Sequence, residues 1–268
     1  MKYERKLVGE VLGKRSKLGD HVGIELEIEG SSLPEVSTVY WKSERDGSLR
    51  GESFEYVLRK PIPHKEAQKA LLEISGIWEG NGAKIKDSPN AGTHVHVNCS
   101  DLTVTQLFNF ISLYLVVEDV LVAQCGKDRI GNLFCLRSCD AEFMVDTMVE
   151  AVRDADLSVF HTDDLRYASV NVKALGDYGS IEFRAWRSDG DLVKVNWWVD
   201  LLMHLKATAR AIDNPALIVA DVSERTPYGF FTDILGPFAK DITWDKQYED
   251  SILQNVRRVQ QYAFLGDW

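Results

Sequence analysis

The sequence predicts an α+β fold with a largely antiparallel sheet, and three observations carry that prediction. Six short runs alternate apolar and polar residues in the manner of half-buried strands, at residues 22–29, 39–45, 53–59, 93–98, 168–175 and 180–186. Four longer runs repeat apolar residues at helical spacing, at 63–75, 103–124, 191–212 and 245–262. The runs 168–175 and 180–186 are separated only by a short turn, a hairpin-like spacing too tight for the crossover that parallel neighbours need. Together these favour α+β over a doubly wound parallel sheet.

Each strand run sorts its residues by face, because successive side chains point to opposite sides. In 22–29 (VGIELEIE), Ile24, Leu26 and Ile28 form the core face, and Glu25, Glu27 and Glu29 form the other. Neighbouring carboxylates on that face are about 6.6 Å apart. Each ionised pair costs roughly 2–3 kcal/mol at an effective dielectric near 20, unless solvent screens it. The run 53–59 adds Glu55. In 93–98 (THVHVN) the valines face one way, while His94, His96 and Asn98 face the other. In 168–175, Asn171 and Lys173 share the polar face, and in 180–186 Ile181 and Phe183 point inward while Glu182, Arg184 and Trp186 point outward together.

The helical runs are amphipathic or apolar. The first carries KEAQKALLEIS, and 103–124 is a long apolar helix whose Glu118-Asp119 either approaches the polar sheet face or, the preferred expectation, lies on an exposed face. The run 191–212 places Trp197, Leu201, Leu205 and Ala209 on one side, behind a cap at Asp189 or Asp191. The last, 245–262, aligns Tyr248, Ile252, Val256 and Val259.

Composition narrows the function classes. The 268 residues carry 31 Lys+Arg against 41 Asp+Glu, a net charge of −10, which argues against nonspecific binding to nucleic acid or an anionic membrane. The 45% hydrophobic content fits an ordinary folded chain rather than a disordered one. Apolar runs fall short of the ~18 residues that span a bilayer, and the charged start MKYERK is unlike a signal peptide, so a cytoplasmic protein is expected. Cysteines 125, 135 and 139 lack a second pair and a nearby His, so they and Cys99 read as free thiols of a reducing compartment rather than a zinc site. With no linker or repeat, residues 1–268 read as one domain, with a core at about 20–212 and a helical C-terminal extension at 213–268.

If the sheet curves with its helices on the convex side, the polar strand faces converge on one concave surface. An HxH pair alone usually means surface histidines. Beside several carboxylates it suits divalent cations, since Mg²⁺ takes carboxylate oxygen and Mn²⁺ also accepts imidazole. Arg and Lys on the same face fit a polyanion such as a nucleotide phosphate lying between cations and guanidinium. No G-x-x-x-x-G-K-[ST] phosphate loop is present, although Gly80-Asn81-Gly82 and Ala91-Gly92 could form close-approach loops.

Four motifs, in this order, resemble those of the amidoligase family. They are Gly23-Ile24-Glu25-Leu26-Glu27, Asp46-Gly47-Ser48 with Glu55 closing on Pro61, the run AGTHVHVN at 91–98, and Ile181-Glu182-Phe183-Arg184. The family comprises carboxylate–amine ligases of the glutamine synthetase and glutamate–cysteine ligase superfamily, many encoded by phages or bacteria. The resemblance spans roughly residues 20 to 200, and nothing after about 213 resembles a known pattern.

The resemblance implies a glutamine-synthetase-like curved sheet holding ATP across two or three Mg²⁺ or Mn²⁺ ions. It implies that Glu25 and Glu27 hold different ions, with Glu55 beside Glu27 and with His94 and Glu182 beside Glu25. His96 would contact phosphate or substrate, Arg184 would meet the transferred phosphoryl group, and Asp46 would stand near the incoming amine or a metal. Arg129, Arg166, Asn171 and Lys173 correspond to phosphate-side positions. Arg59-Lys60 before Pro61 departs from the family's small or apolar residues, which marks either an anionic substrate or a solvated strand end.

The implied activity is ATP-dependent amide or isopeptide formation through an acyl phosphate, joining a small-molecule or peptide carboxylate to an amine. A carboxylate or guanidino kinase on the same fold, a two-metal hydrolase or nuclease, and a non-catalytic nucleotide binder are the alternatives. The sequence specifies neither the substrates nor the oligomeric state.

Overall fold

A computed structural model describes residues 5–14, 18–266 and 268. Its centre is one antiparallel sheet of eight strands: β1 (His21–Ser31), β2 (Trp41–Glu44), β3 (Glu52–Leu58), β4 (Ile62–Pro63), β5 (Lys84–Lys86), β6 (Gly92–Asn98), β7 (Val170–Asn171) and β8 (Ser180–Arg187). The order is β2-β3-β1-β6-β8-β7, with β4 and β5 pairing with opposite ends of β1. Among the described residues the helices are α1 (Val8–Val11), α2 (Ala67–Gly80), α3 (Val104–Gln124), α4 (Glu142–Asp154), α5 (Ala174–Tyr178), α6 (Leu192–Arg210), α7 (Pro215–Glu224), α8 (Pro227–Leu235) and α9 (Gln247–Ala263).

The apolar strand faces form the core. Ile24, Leu26, Ile28, Val95, Val97, Ile181 and Phe183 are fully buried. Phe183 packs its ring against Phe110 and Tyr114 of α3, at 5.5 and 4.9 Å between centroids. α3 starts with a capping box, in which Thr103 Oγ1 accepts from Gln106 N at 3.2 Å and the Gln106 side chain accepts from Thr103 N at 3.0 Å. By length and composition α3 could cross a membrane, yet 83% of its most apolar window is buried inside the fold. α6 is capped by Asp191, whose Oδ1 accepts from Lys194 N at 3.1 Å.

The C-terminal helices complete this core rather than trailing from it. Tyr262 of α9 shares a 2.7 Å hydrogen bond with Ser112 of α3 and lies 6.0 Å from the Phe108 ring. Asn255 Nδ2 donates to Asp119 at 2.7 Å. All four cysteines are free thiols.

Three details differ from the sequence expectation, each for a local reason. The run 168–175 forms strand only at Val170–Asn171, because Asn171 Oδ1 accepts from Lys173 N at 3.0 Å and turns the chain into α5. Lys173 therefore does not lie on a strand face. Trp186 does not share a face with Glu182 and Arg184. Thr93 pairs with Trp186 but Val95 pairs with Phe183, so β8 carries one extra residue, a bulge at Arg184–Ala185 that reverses the facing beyond it. Trp186 is consequently 4% exposed and stacks on Trp198 at 5.3 Å.

Glu118, expected on an exposed face, is fully buried. Its Oε2 accepts from Ser138 N at 2.7 Å and Ser138 Oγ at 2.6 Å, and its Oε1 accepts from Ser169 Oγ. Burial pushes its carboxyl up to about 7 against the pull of those hydrogen bonds.

Candidate functional site

Strand register brings the polar residues of five strands into one row. Glu25 on β1 stands opposite His94 on β6, and His96 stands opposite Glu182 on β8, which itself stands opposite Asn171 on β7. On the other side of β1, Glu27 stands opposite Glu55 of β3. Residues directly opposed in an antiparallel pair project to the same face, so the alternation read from single strands becomes a contiguous cluster.

The contacts are close. His94 Nδ1 lies 3.3 Å from Glu25 Oε2 and 3.4 Å from Glu182 Oε1, while its Nε2 lies 3.7 Å from Glu27 Oε1. His96 Nε2 lies 3.3 Å from Glu25 Oε1, and its Nδ1 meets Ser180 Oγ at 3.1 Å. Arg184 forms an ion pair with Glu182 and reaches to 3.5 Å from His94 Nδ1. Asn171 Nδ2 donates to Glu182 Oε2 at 2.6 Å, and Gly92 N donates to Glu27 Oε2 at 2.6 Å.

Burial and charge act against each other across this row. Burial alone would raise the Glu25 carboxyl, but hydrogen bonds from His94 and His96 hold it well below the usual carboxylate range. Burial likewise opposes ionisation of Glu182, and the charges of His94, Arg184 and His96 outweigh it, lowering its pKa. Burial depresses the His96 imidazolium, yet Glu25 and Glu182 raise it overall. At Glu55 burial, then the charges of Glu25 and Glu27, prevail over the downward pull of the His94 charge and push its carboxyl up to about 7.

This donor set fits divalent cations. Ligand atoms of Glu25, His96 and Glu182 lie within 4.8 Å of one another, and Glu27 with Glu55 forms a second carboxylate pair whose repulsion a cation would cancel. Glu29, on the same strand face, is diverted. It accepts from Arg50 N at 3.0 Å and lies 3.8 Å from Lys86 Nζ.

The row forms one wall of a cavity of about 400 Å³, a size typical of small-molecule sites. Glu27, His94, Glu182 and Arg184 line it, together with Asp46, Arg129, Arg166, Asn171 and Lys173. Glu55 and His96 are not among its lining residues; His96 and Glu25 line a second cavity. Arg129 is 1% exposed, donating from Nε to Ala185 O at 3.0 Å and from Nη2 to Arg184 O at 2.7 Å. Its Nη1 is buried without a hydrogen-bond partner. The remaining cations sit more loosely. Arg166 lies over the Tyr167 ring at 4.5 Å, and Lys173 is paired with Asp163. Asp46 closes a turn by accepting from Ser48 N at 2.8 Å.

Several lining residues went unread in the sequence. Phe134, Tyr167 and Tyr178 supply aromatic walls. Gly92 matters by close approach: a Cβ there would lie 3.1 Å from both Arg129 Nη2 and His94 Nε2.

Residues 52–206, more than half of the chain, match the family described as "Putative amidoligase enzyme". The matched span holds Glu55, His94, His96, Arg129, Asn171, Glu182 and Arg184, whereas Glu25, Glu27 and Asp46 precede it. No curated protein matches the sequence.

Proposed function

The chain belongs to the amidoligase family, and from that premise we propose that it is an ATP-dependent carboxylate–amine ligase acting through an acyl phosphate. The observation that supports this reading is the row of Glu25, Glu27, Glu55, His94, His96 and Glu182 beside a cavity lined by Arg129 and Arg184. A polyanionic phosphate chain needs such guanidinium groups, and the crowded acids need cations.

A carboxylate resists attack by an amine because attack adds negative charge to an anion. In the proposed reaction a carboxylate oxygen bonds to the γ-phosphorus of ATP, the bond from that phosphorus to ADP breaks, and ADP leaves. The amine nitrogen then bonds to the acyl carbon, the acyl C–O bond breaks, and phosphate departs. Counted from the ammonium form, three N–H protons are redistributed: one stays on the amide, one ends on phosphate, and one is released.

The residues of this chain would divide that work. Arg184 and the unpartnered Nη1 of Arg129 compensate phosphate charge, with Arg166 and Lys173 further out and Phe134 or Tyr167 available to stack on a base. Asp46, on the cavity wall, accepts the ammonium proton. Glu25, Glu182 and the two histidines would hold one divalent cation, and Glu27 with Glu55 another. When bound, Mg²⁺ or Mn²⁺ would neutralise these carboxylates and draw charge from phosphate oxygens.

The test is a matrix of carboxylates and amines supplied with ATP and Mg²⁺, read by ADP release and by mass spectrometry of products. ADP that appears only when both partners are present, with a product lighter than their sum by one water, supports the ligase. ADP release indifferent to the amine would make the protein a kinase, and cleavage without nucleotide would make it a hydrolase.

A further inference from the structure

A second cavity, of about 270 Å³, lies along the same sheet face toward the start of β1. Its floor includes Gly23, Glu25 and His96, and its walls include Leu18, Val57 and Leu58. The arginines of the first cavity do not line it, and Tyr178 borders both. The two cavities thus flank the acid–histidine row from either end, with His94 and Glu182 on one side and Glu25 and His96 on the other.

Lys42, Arg59 and Lys60 line this second cavity as well, and their charges are not equally compensated. Lys42 is paired with Glu44. Among the described residues the Arg59 guanidinium donates to neutral acceptors, Thr38 O at 2.8 Å and Ser37 Oγ. Among the described residues no carboxylate lies within ion-pair distance of Arg59 or Lys60, although the chain as a whole carries a net charge of −10. Two uncompensated cations beside an apolar wall complement an anion joined to an apolar stem.

We propose, resting on the ligase reading, that this cavity binds the carboxylate partner and that this partner is a dicarboxylate. Its reacting carboxylate lies at the His96 end, where the two cavities adjoin the row. Its second carboxylate meets Arg59 and Lys60, and its aliphatic chain lies along Val57. The nucleotide then occupies the first cavity, so phosphorus and carboxylate approach each other across the row.

The experiment titrates succinate, glutarate, adipate and the monocarboxylate butyrate into the full chain by calorimetry, without ATP. At least one diacid is expected to bind ten-fold or more tightly than butyrate. Its affinity should fall ten-fold or more in Lys60→Glu and in Arg59→Glu, and less in Lys60→Gln. Both positions are exposed, so the fold should survive, and binding of a non-hydrolysable ATP analogue should stay within two-fold of wild type. Butyrate binding as tightly as every diacid, no diacid binding, or affinities indifferent to both charge reversals would overturn the assignment. ADP release with hydroxylamine as the amine separates the two claims. Diacid binding as described with no ADP formed with any carboxylate would keep the cavity assignment and sink the ligase reading. ADP formed equally with butyrate would do the reverse.

Discussion

Glu27 and Glu55 stand directly opposite each other on adjacent strands, two carboxylates where a sheet normally places complementary partners. Burial and the neighbouring acids already push Glu55 up to about 7. At pH 8, where Glu55 is ionised, Glu55→Gln should stabilise the protein in a chelator by about 1 kcal/mol, a rise in Tm of about 2 °C. The same change should abolish most of the Tm increase that Mg²⁺ or Mn²⁺ gives the wild type. A variant less stable in chelator, with the full metal-induced shift, would show that the pair is not a cation site.

Glu182 carries more partners than any other acid of the row: His94, Arg184 and Asn171 all converge on it. Glu182→Gln keeps its shape and an oxygen for Asn171 while removing the charge. Turnover should drop at least about 100-fold, with Tm changed by only a few degrees. Wild-type turnover in this variant would remove Glu182 from the chemistry.

Gly92 and Arg129 test the phosphate side. A Cβ at position 92 would press on Arg129 Nη2 and His94 Nε2, and Arg129 cannot retreat because its Nε and Nη2 are held by two carbonyls. Gly92→Ala should therefore weaken binding of an ATP analogue several-fold. Arg129→Met should weaken it ten-fold or more, since the buried guanidinium would be lost outright. Unchanged nucleotide affinity in both, measured by calorimetry, would place the phosphates elsewhere.

Most of the row was legible because its logic is that of a single strand. The alternation that buries Ile24, Leu26 and Ile28 necessarily turns Glu25 and Glu27 to the other face, and the same holds for His94 and His96. Register across strands is not written in any one of them: the family resemblance set Glu55 beside Glu27, but the direct opposition of those two, and of His96 to Glu182, comes from strand pairing. Alternation failed where backbone irregularity intervened. One extra residue in β8 sent Trp186 into the core, and the Asn171 turn ended β7 before Lys173. Of the helices left unread in the sequence (α1, α4, α5, α7 and α8), two carry clear start signals: Asn214-Pro215 and Thr226-Pro227 each place a capping side chain before a proline. The short strands β4 and β5 carry too few residues to show any period.

Glu118 gives a prediction independent of catalysis. It is buried in α3 beneath Ser138 and Ser169, and its carboxyl is raised from 4.5 to about 7, chiefly by burial. Between those values the folded chain holds a proton that the unfolded chain releases, so stability falls as pH rises through the window and levels off above it. The full effect is roughly 3 kcal/mol. In Glu118→Gln the side chain is neutral throughout, and the serine hydroxyls can reorient to satisfy the amide. The variant's Tm, relative to wild type, should therefore climb by about 5 °C between pH 5 and pH 8. A difference that stayed flat across that range would mean that Glu118 is ionised in the folded chain at both ends, its charge already accommodated by the two serines.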